Sequence, residues 1–272
     1  MPSKNNLLII SYTFPPDNGI GGRRWAKMGK YIQKNGFEVF VLSAQFPSNA
    51  YSSWNHDVEK LSVINFNSLY PKVLITSPGN LRAKICYRFW RFFLPLITKG
   101  TIYDKACLDK QIIIDKASTI ITKHNIRNVV VTGAPFSILN YGTILKDSFP
   151  HLNLIADIRD PWTWGSNYGF FNLNKKRIIY EQNLLETVVA KADFITVPAK
   201  AMQDFLQEKF ENDRLKIKIL PHGIDTDDFQ FLKKSYGRTG IRFIYGGTLY
   251  EGIESMFEKL LKVSEKNAEK DF

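Results

Sequence analysis

The 272-residue sequence has few of the residues that cross-link or metallate a fold. It holds two cysteines, Cys86 and Cys107, and four scattered histidines, none at a metal-ligand spacing. No disulfide framework is expected, and nothing at the start resembles a signal peptide, so a reducing cytoplasm is the expected compartment. Long uncharged apolar runs are missing too. The nearest, Phe92 to Ile97, is short and contains Pro95, which argues against a membrane-spanning helix and leaves peripheral contact as the only membrane mode. There is no internal repeat and no low-complexity tract. Acidic residues are outnumbered, 26 against 37 Lys and Arg, for a net charge of +11. Such a balance favours an anionic partner: nucleic acid, an anionic membrane surface or a phosphorylated small molecule. The basic residues are spread along the chain and match no nucleic-acid-binding motif, so nucleic acid is set aside.

What is present is 44% hydrophobic residues, enough for one large domain or two modest ones. Short aliphatic runs alternate with helical patterns, the signature of an α/β fold in which helices flank a Rossmann-like parallel sheet. Strands are predicted at Leu7 to Tyr12, Glu38 to Ser43, Asn128 to Thr132, Leu152 to Ile158, Phe194 to Val197, Lys216 to Leu220 and Ile241 to Tyr245. Helices are predicted at 22–35, 81–94, 105–124, 137–147, 176–191, 199–210 and 253–267. A break falls around 221–240, dividing a domain over 1–222 from a linker over 223–240. Residues 241–272 then restart a strand-to-glycine-loop pattern. One strand and one helix cannot bury a core, so this last stretch reads as the opening βα unit of a second, truncated domain.

The first strand empties through Phe14-Pro15-Pro16-Asp17-Asn18 into Gly19-Ile20-Gly21-Gly22-Arg23-Arg24 and an amphipathic helix. Free backbone N–H groups and the helix dipole converge at such a place, which suits an anion. A dinucleotide fingerprint would put its glycines directly after the strand and a carboxylate at the end of the second strand. Here Thr13 to Asn18 intervene and the second strand ends Leu42-Ser43-Ala44-Gln45, so a nicotinamide or flavin enzyme is disfavoured.

Five motifs in order resemble the N-terminal half of retaining GT-B glycosyltransferases of family four, of the bacterial polysaccharide type. They are Phe14 to Arg24; Thr132-Gly133-Ala134-Pro135-Phe136-Ser137; Asp157-Ile158-Arg159-Asp160-Pro161-Trp162-Thr163; Lys191-Ala192-Asp193; and Leu220 to Asp225. The resemblance implies two Rossmann-like domains, the first holding a glycan or polyprenyl-linked acceptor and the second a nucleotide-sugar donor. It also implies that no metal or other cofactor is needed, because cationic side chains, loop amides and a helix N-terminus take the diphosphate charge. The donor-binding motifs would lie beyond residue 272, so this chain alone is expected to be catalytically incomplete.

On this resemblance Gly19, Gly21 and Gly22 would face the donor diphosphate. Arg23, Arg24, Gly133, Asp157 and Trp162 would serve the acceptor. Asp160 would orient or deprotonate the acceptor hydroxyl, and Arg159 would offset charge on the leaving phosphate. Each has a structural alternative: an Arg159–Asp160 or Arg159–Asp157 pair fixing the loop, Trp162 in the core, Ser137 as a helix cap, His222 as packing at the domain junction. Finally, residues 81–94 put Lys84, Arg88 and Arg91 on one stripe among Ile85, Phe89, Trp90, Phe92, Phe93 and Leu94, ended by Pro95. Such a helix either lies on an anionic membrane surface, at the inner face where polyprenyl-linked acceptors reside, or packs its aromatics on the sheet.

Overall fold

The computed structural model describes residues 5–17, 20–45, 55–76, 78–99, 104–163, 175–230, 244–246 and 253–268. Seven strands are present among these: β1 (Asn6–Ser11), β2 (Glu38–Gln45), β3 (Ser62–Asn67), β4 (Asn128–Gly133), β5 (Asn153–Ile158), β6 (Phe194–Val197) and β7 (Ile217–Ile219). They form one all-parallel sheet in the order β3-β2-β1-β4-β5-β6-β7. The helices are α1 (Ile20–Lys34), α2 (Leu81–Ile97), α3 (Lys110–Lys123), α4 (Ser137–Ser148), α5 (Lys175–Lys191), α6 (Lys200–Lys209) and α7 (Glu254–Ala268).

The continuous apolar runs of the central strands are explained by burial on both faces. Alternation sends Leu7 and Ile9 of β1 into one cluster with Val39, Val41, Val130 and the α1 residues Trp25 and Ala26. Leu8 and Ile10 enter the opposite cluster, where Ile113 and Ile121 of α3, Leu145 of α4, Leu185 and Val189 of α5 and Leu206 of α6 cover the sheet. Helix α1 thus guards one face and α3 to α6 the other.

Strand β3 has no counterpart in the sequence expectation. It is an edge strand in which only Phe66 is buried, so it lacks the apolar run that marks a central strand. Helix α2 also runs past its expected end: Pro95 sits inside it, in the last turn, where the missing N–H removes a single ladder bond, and Thr98 N–H closes onto Leu94 O at 2.9 Å.

The chain divides into two compact units, Met1–Asp225 and Thr226–Phe272. The division lies three residues after the expected boundary because Asp225 is tied to α1 in the first unit. Its carboxylate accepts from Tyr31 Oη (2.6 Å), Lys27 Nζ (2.7 Å) and Lys30 Nζ (3.0 Å). In the second unit a 3-10 turn spans Thr226–Phe229 and α7 follows later. Of the strand expected over 241–245, residues 241–243 lie outside the described residues and 244–246 are not in a strand.

Candidate functional site

The sheet order reverses direction at β1, which is followed in sequence by β2 on one side and flanked by β4 on the other. The loops leaving β1 and β4 therefore diverge, and open α/β sheets place ligands in the crevice beyond this carboxyl edge. Four exits converge there: residues 12–17 after β1, 134–136 after β4, 159–163 after β5 and 220–225 after β7.

Arg159 ties the β4 exit to the start of α1. Its Nε donates to Gly133 O at 2.8 Å, Nη2 to Ala134 O at 2.7 Å, and Nη1 to Gly21 O in the first turn of α1. Three of its five donors are thus spent on carbonyls, and burial lowers its pKa from the usual guanidinium value, with Asp157 and Asp160 opposing that shift. The expected roles of the glycines change accordingly. A Cβ on Gly21 would lie 2.7 Å from Arg159 Nη1, and one on Gly22 would lie 2.6 Å from Thr13 O and 2.8 Å from Phe14 Cα. Their small size admits the guanidinium and the β1 exit. Gly133 is likewise buried between Phe136 and Leu139, with its carbonyl bound by Arg159. Gly19 lies outside the described residues.

Asp157 and Arg24 are not at the surface. Asp157 is fully buried, and its Oδ2 accepts from Trp25 Nε1 (2.7 Å) and Thr132 Oγ1 (2.8 Å) while its Oδ1 accepts from Thr196 Oγ1 (2.7 Å) and Arg24 Nη2 (3.3 Å). Arg24 continues to Leu220 O (2.5 Å), Pro221 O (3.2 Å) and His222 Nδ1 (3.2 Å). This buried pair, in place of the expected acceptor contact, joins α1, β4, β5, β6 and the β7 exit. Arginine only donates, so His222 Nδ1 accepts and the ring proton sits on Nε2. Desolvation first, then the Arg24 charge, lowers the His222 pKa below its ordinary 6.5.

Trp162 is also removed from any acceptor. It has no exposed surface, stacks on Phe136 at 5.0 Å between centroids, and donates from Nε1 to Glu181 at 2.7 Å. Behind it lies a layer of buried charge that sequence reasoning missed. Arg177 pairs with Glu181, approaches Asp104 at 3.9 Å and donates to Thr98 O at 2.6 Å. Asp104 accepts from Ser137 N (2.9 Å) and Ser137 Oγ (2.7 Å), so the cap of α4 is this distant carboxylate and not the Ser137 hydroxyl itself. Burial raises the pKa of both Asp104 and Glu181, with Ser137 and Arg177 respectively giving the largest opposing effect. The acidic residues stand apart in sequence from any motif, so only the i, i+4 spacing of Arg177 and Glu181 hinted at the cluster.

Asp160 and Arg23 remain at the crevice edge. Arg23 is half-buried in the first turns of α1. Asp160 is half-buried at the β5 exit, one residue beyond Arg159, and makes no hydrogen bond or ion pair among the described residues. A half-buried carboxylate with free oxygens beside a carbonyl-bound cation can accept a proton or orient a hydroxyl.

No protein-family model and no curated protein matches the chain. Among solved structures it is similar to the N-terminal domain of trehalose-6-phosphate phosphatase from Candida albicans, with 14% identity, a TM-score of 0.48, and coverage of 83% of this chain and 50% of that one. UGT73P12 from Glycyrrhiza uralensis gives 10% identity and a TM-score of 0.45, over 81% of this chain and 49% of that one. The glycosyltransferase SnogD from Streptomyces nogalater gives 14% and 0.36, over 91% and 53%. The chain spans about half the length of these structures.

Proposed function

We propose that the chain is the acceptor-binding part of a retaining glycosyltransferase of surface polysaccharide assembly, which moves a sugar from a nucleotide-sugar to a hydroxyl of a glycan or polyprenyl-linked acceptor at the cytoplasmic face of a membrane. The observation that carries this reading is Asp160: of the carboxylates in the five ordered motifs, it stands at the carboxyl edge of the sheet with its oxygens uncommitted. In the reaction the bond from the anomeric carbon to the diphosphate breaks, a bond to the acceptor oxygen forms, the nucleoside diphosphate leaves with the electron pair, and the hydroxyl proton passes to Asp160 or to the departing phosphate. Asp160 orients the acceptor hydroxyl, and the Arg159 guanidinium lends positive potential to the leaving group without a metal. Arg24, Asp157, Trp162, Gly21, Gly22 and Gly133 hold the frame in which those two sit.

The test is thermal-shift binding of UDP, GDP and their sugar conjugates to this chain and to any longer form of the protein. Stabilisation of a longer form supports the transferase, and the responding nucleotide names the donor. If neither responds, the chain is an acceptor- or membrane-binding module without a donor site. In a form that turns over, Asp160→Asn should abolish transfer with the melting temperature near wild type. Unchanged transfer rejects the role.

A further inference from the structure

Among the described residues, helix α2 carries seven exposed large hydrophobic side chains, Leu81, Ile85, Phe89, Phe92, Phe93, Leu96 and Ile97. It docks on the body through one narrow face. Leu94 is fully buried, Ala83, Tyr87 and Trp90 are half-buried, and Arg177 fastens the far end by its bond to Thr98 O. The N-terminus is capped by Asn80, whose Oδ1 accepts from Ala83 N–H at 2.8 Å. The outward stripe Leu81, Ile85, Phe89, Phe92 and Leu96 follows the i, i+4 and i+3 spacing of a single face, and each of these side chains is between 50% and 74% exposed. Phe93 widens the stripe, its ring 4.3 Å from that of Phe89. The N-terminus is capped locally and the C-terminus is held by Arg177, so neither end is left frayed.

Charge identifies the occupant. Lys84, Arg88 and Arg91 line one flank of the stripe, all exposed and none in an ion pair among the described residues, and residues 81–97 contain no Asp or Glu. A second copy of the chain would bring the same unneutralised cations against these. An anionic lipid surface neutralises them while its acyl boundary takes the aromatic stripe. We infer that α2 is the docking element of this chain for an anionic membrane leaflet, entering with Leu81, Ile85, Phe89, Phe92 and Leu96 while Lys84, Arg88 and Arg91 meet the headgroups. That the leaflet also carries the acceptor rests on the transferase reading; the docking does not. Through Arg177, Glu181 and Trp162 the docked helix is tied to the loop that bears Asp160.

The experiment is vesicle co-sedimentation of the whole chain, read in parallel by a polarity-sensitive dye on Cys86. That thiol is exposed on α2, whereas burial pushes the Cys107 thiol up to about 12. Vesicles of equal parts phosphatidylcholine and phosphatidylglycerol should bind the chain and shift the dye to the blue, with binding to pure phosphatidylcholine at least about tenfold weaker. Replacing Lys84, Arg88 and Arg91 together by Gln should lower partition onto the mixed vesicles by roughly a hundredfold. Phe89→Ser with Phe92→Ser should abolish the blue shift with an unchanged melting temperature, since both rings are exposed. Absence of binding to the mixed vesicles, equal binding to both, or a concentration-dependent dimer dissolved by Phe92→Ser overturns the inference. Vesicle binding uses no nucleotide and the thermal shift uses no lipid, so either reading can fail without the other.

Discussion

Asp157→Asn separates a framework role from an acceptor contact. The carboxylate is fully buried and takes one tryptophan, one arginine and two threonine donors. Asparagine offers one oxygen and one NH2. If the NH2 takes the Oδ2 position it faces Trp25 Nε1, and if it takes the Oδ1 position it faces Arg24 Nη2. Threonine hydroxyls can turn to accept, but indole and guanidinium cannot, so either flip leaves two buried donors facing each other. The substitution also strips Arg24 of its counter-charge. Breaking a buried pair in this way costs about 3–5 kcal/mol, and at ~2–4 °C per kcal/mol for a domain of this size the melting temperature should fall by roughly 6–20 °C. Thermal unfolding followed by circular dichroism reads this directly. A urea midpoint that drops with an unchanged slope would place the loss in stability and not in compactness. Arg24→Met should cost a comparable amount, and the double variant less than the sum. An Asp157→Asn protein melting within about 2 °C of wild type would refute the framework assignment.

Gly22→Ala should destabilise by about 1–3 kcal/mol, because its Cβ would meet backbone atoms of Thr13 and Phe14 that cannot swing aside. Gly223→Ala, whose Cβ would meet nothing within 4 Å, should leave the melting temperature unchanged and serves as the control. In an NMR titration His222 should lose its proton below the ordinary 6.5, and Arg24→Gln should move that midpoint upward by removing the adjacent charge. Asp104 binds its proton more tightly folded than unfolded, so its contribution is fully favourable below its ordinary 3.8 and declines as pH rises through the higher folded value. Urea midpoints of Asp104→Asn measured from about pH 4 to neutrality should therefore fall less steeply than those of wild type, and an identical slope would contradict the assignment.

The central strands were legible because burial on two faces demands unbroken aliphatic runs. Strand β6 is found at its expected limits, and β1, β4 and β5 within one residue of theirs. Of the two edges, β7 lies within one residue of its expected limits, but β3 was missed, since it carries Asn65 and Asn67 and needs one buried ring. At the site, the sequence brought the right segments to one sheet edge but could not tell inward from outward at the strand ends. Asp157 and Asp160 are three residues apart in one motif, yet the first ends in the core and the second in the crevice. Trp162 looked like a platform for a sugar because its partner Glu181 is 19 residues away. Pairings between distant elements, such as Asp104 with Ser137, leave no local pattern to read.

One helix face does two jobs in this chain. Lys27, Lys30 and Tyr31 grip Asp225, and a turn earlier Arg24 grips the carbonyls of Leu220 and Pro221. Strand β7 is only three residues long, so the peptide that leaves it is carried by side chains more than by the sheet. A dissection at the visible Pro221-His222-Gly223 segment would therefore sever a clasp and take Asp225 from both lysines, which also reach Asp57 at 2.7 and 3.5 Å. The cut that keeps this clasp whole falls after Asp225, where the first compact unit ends.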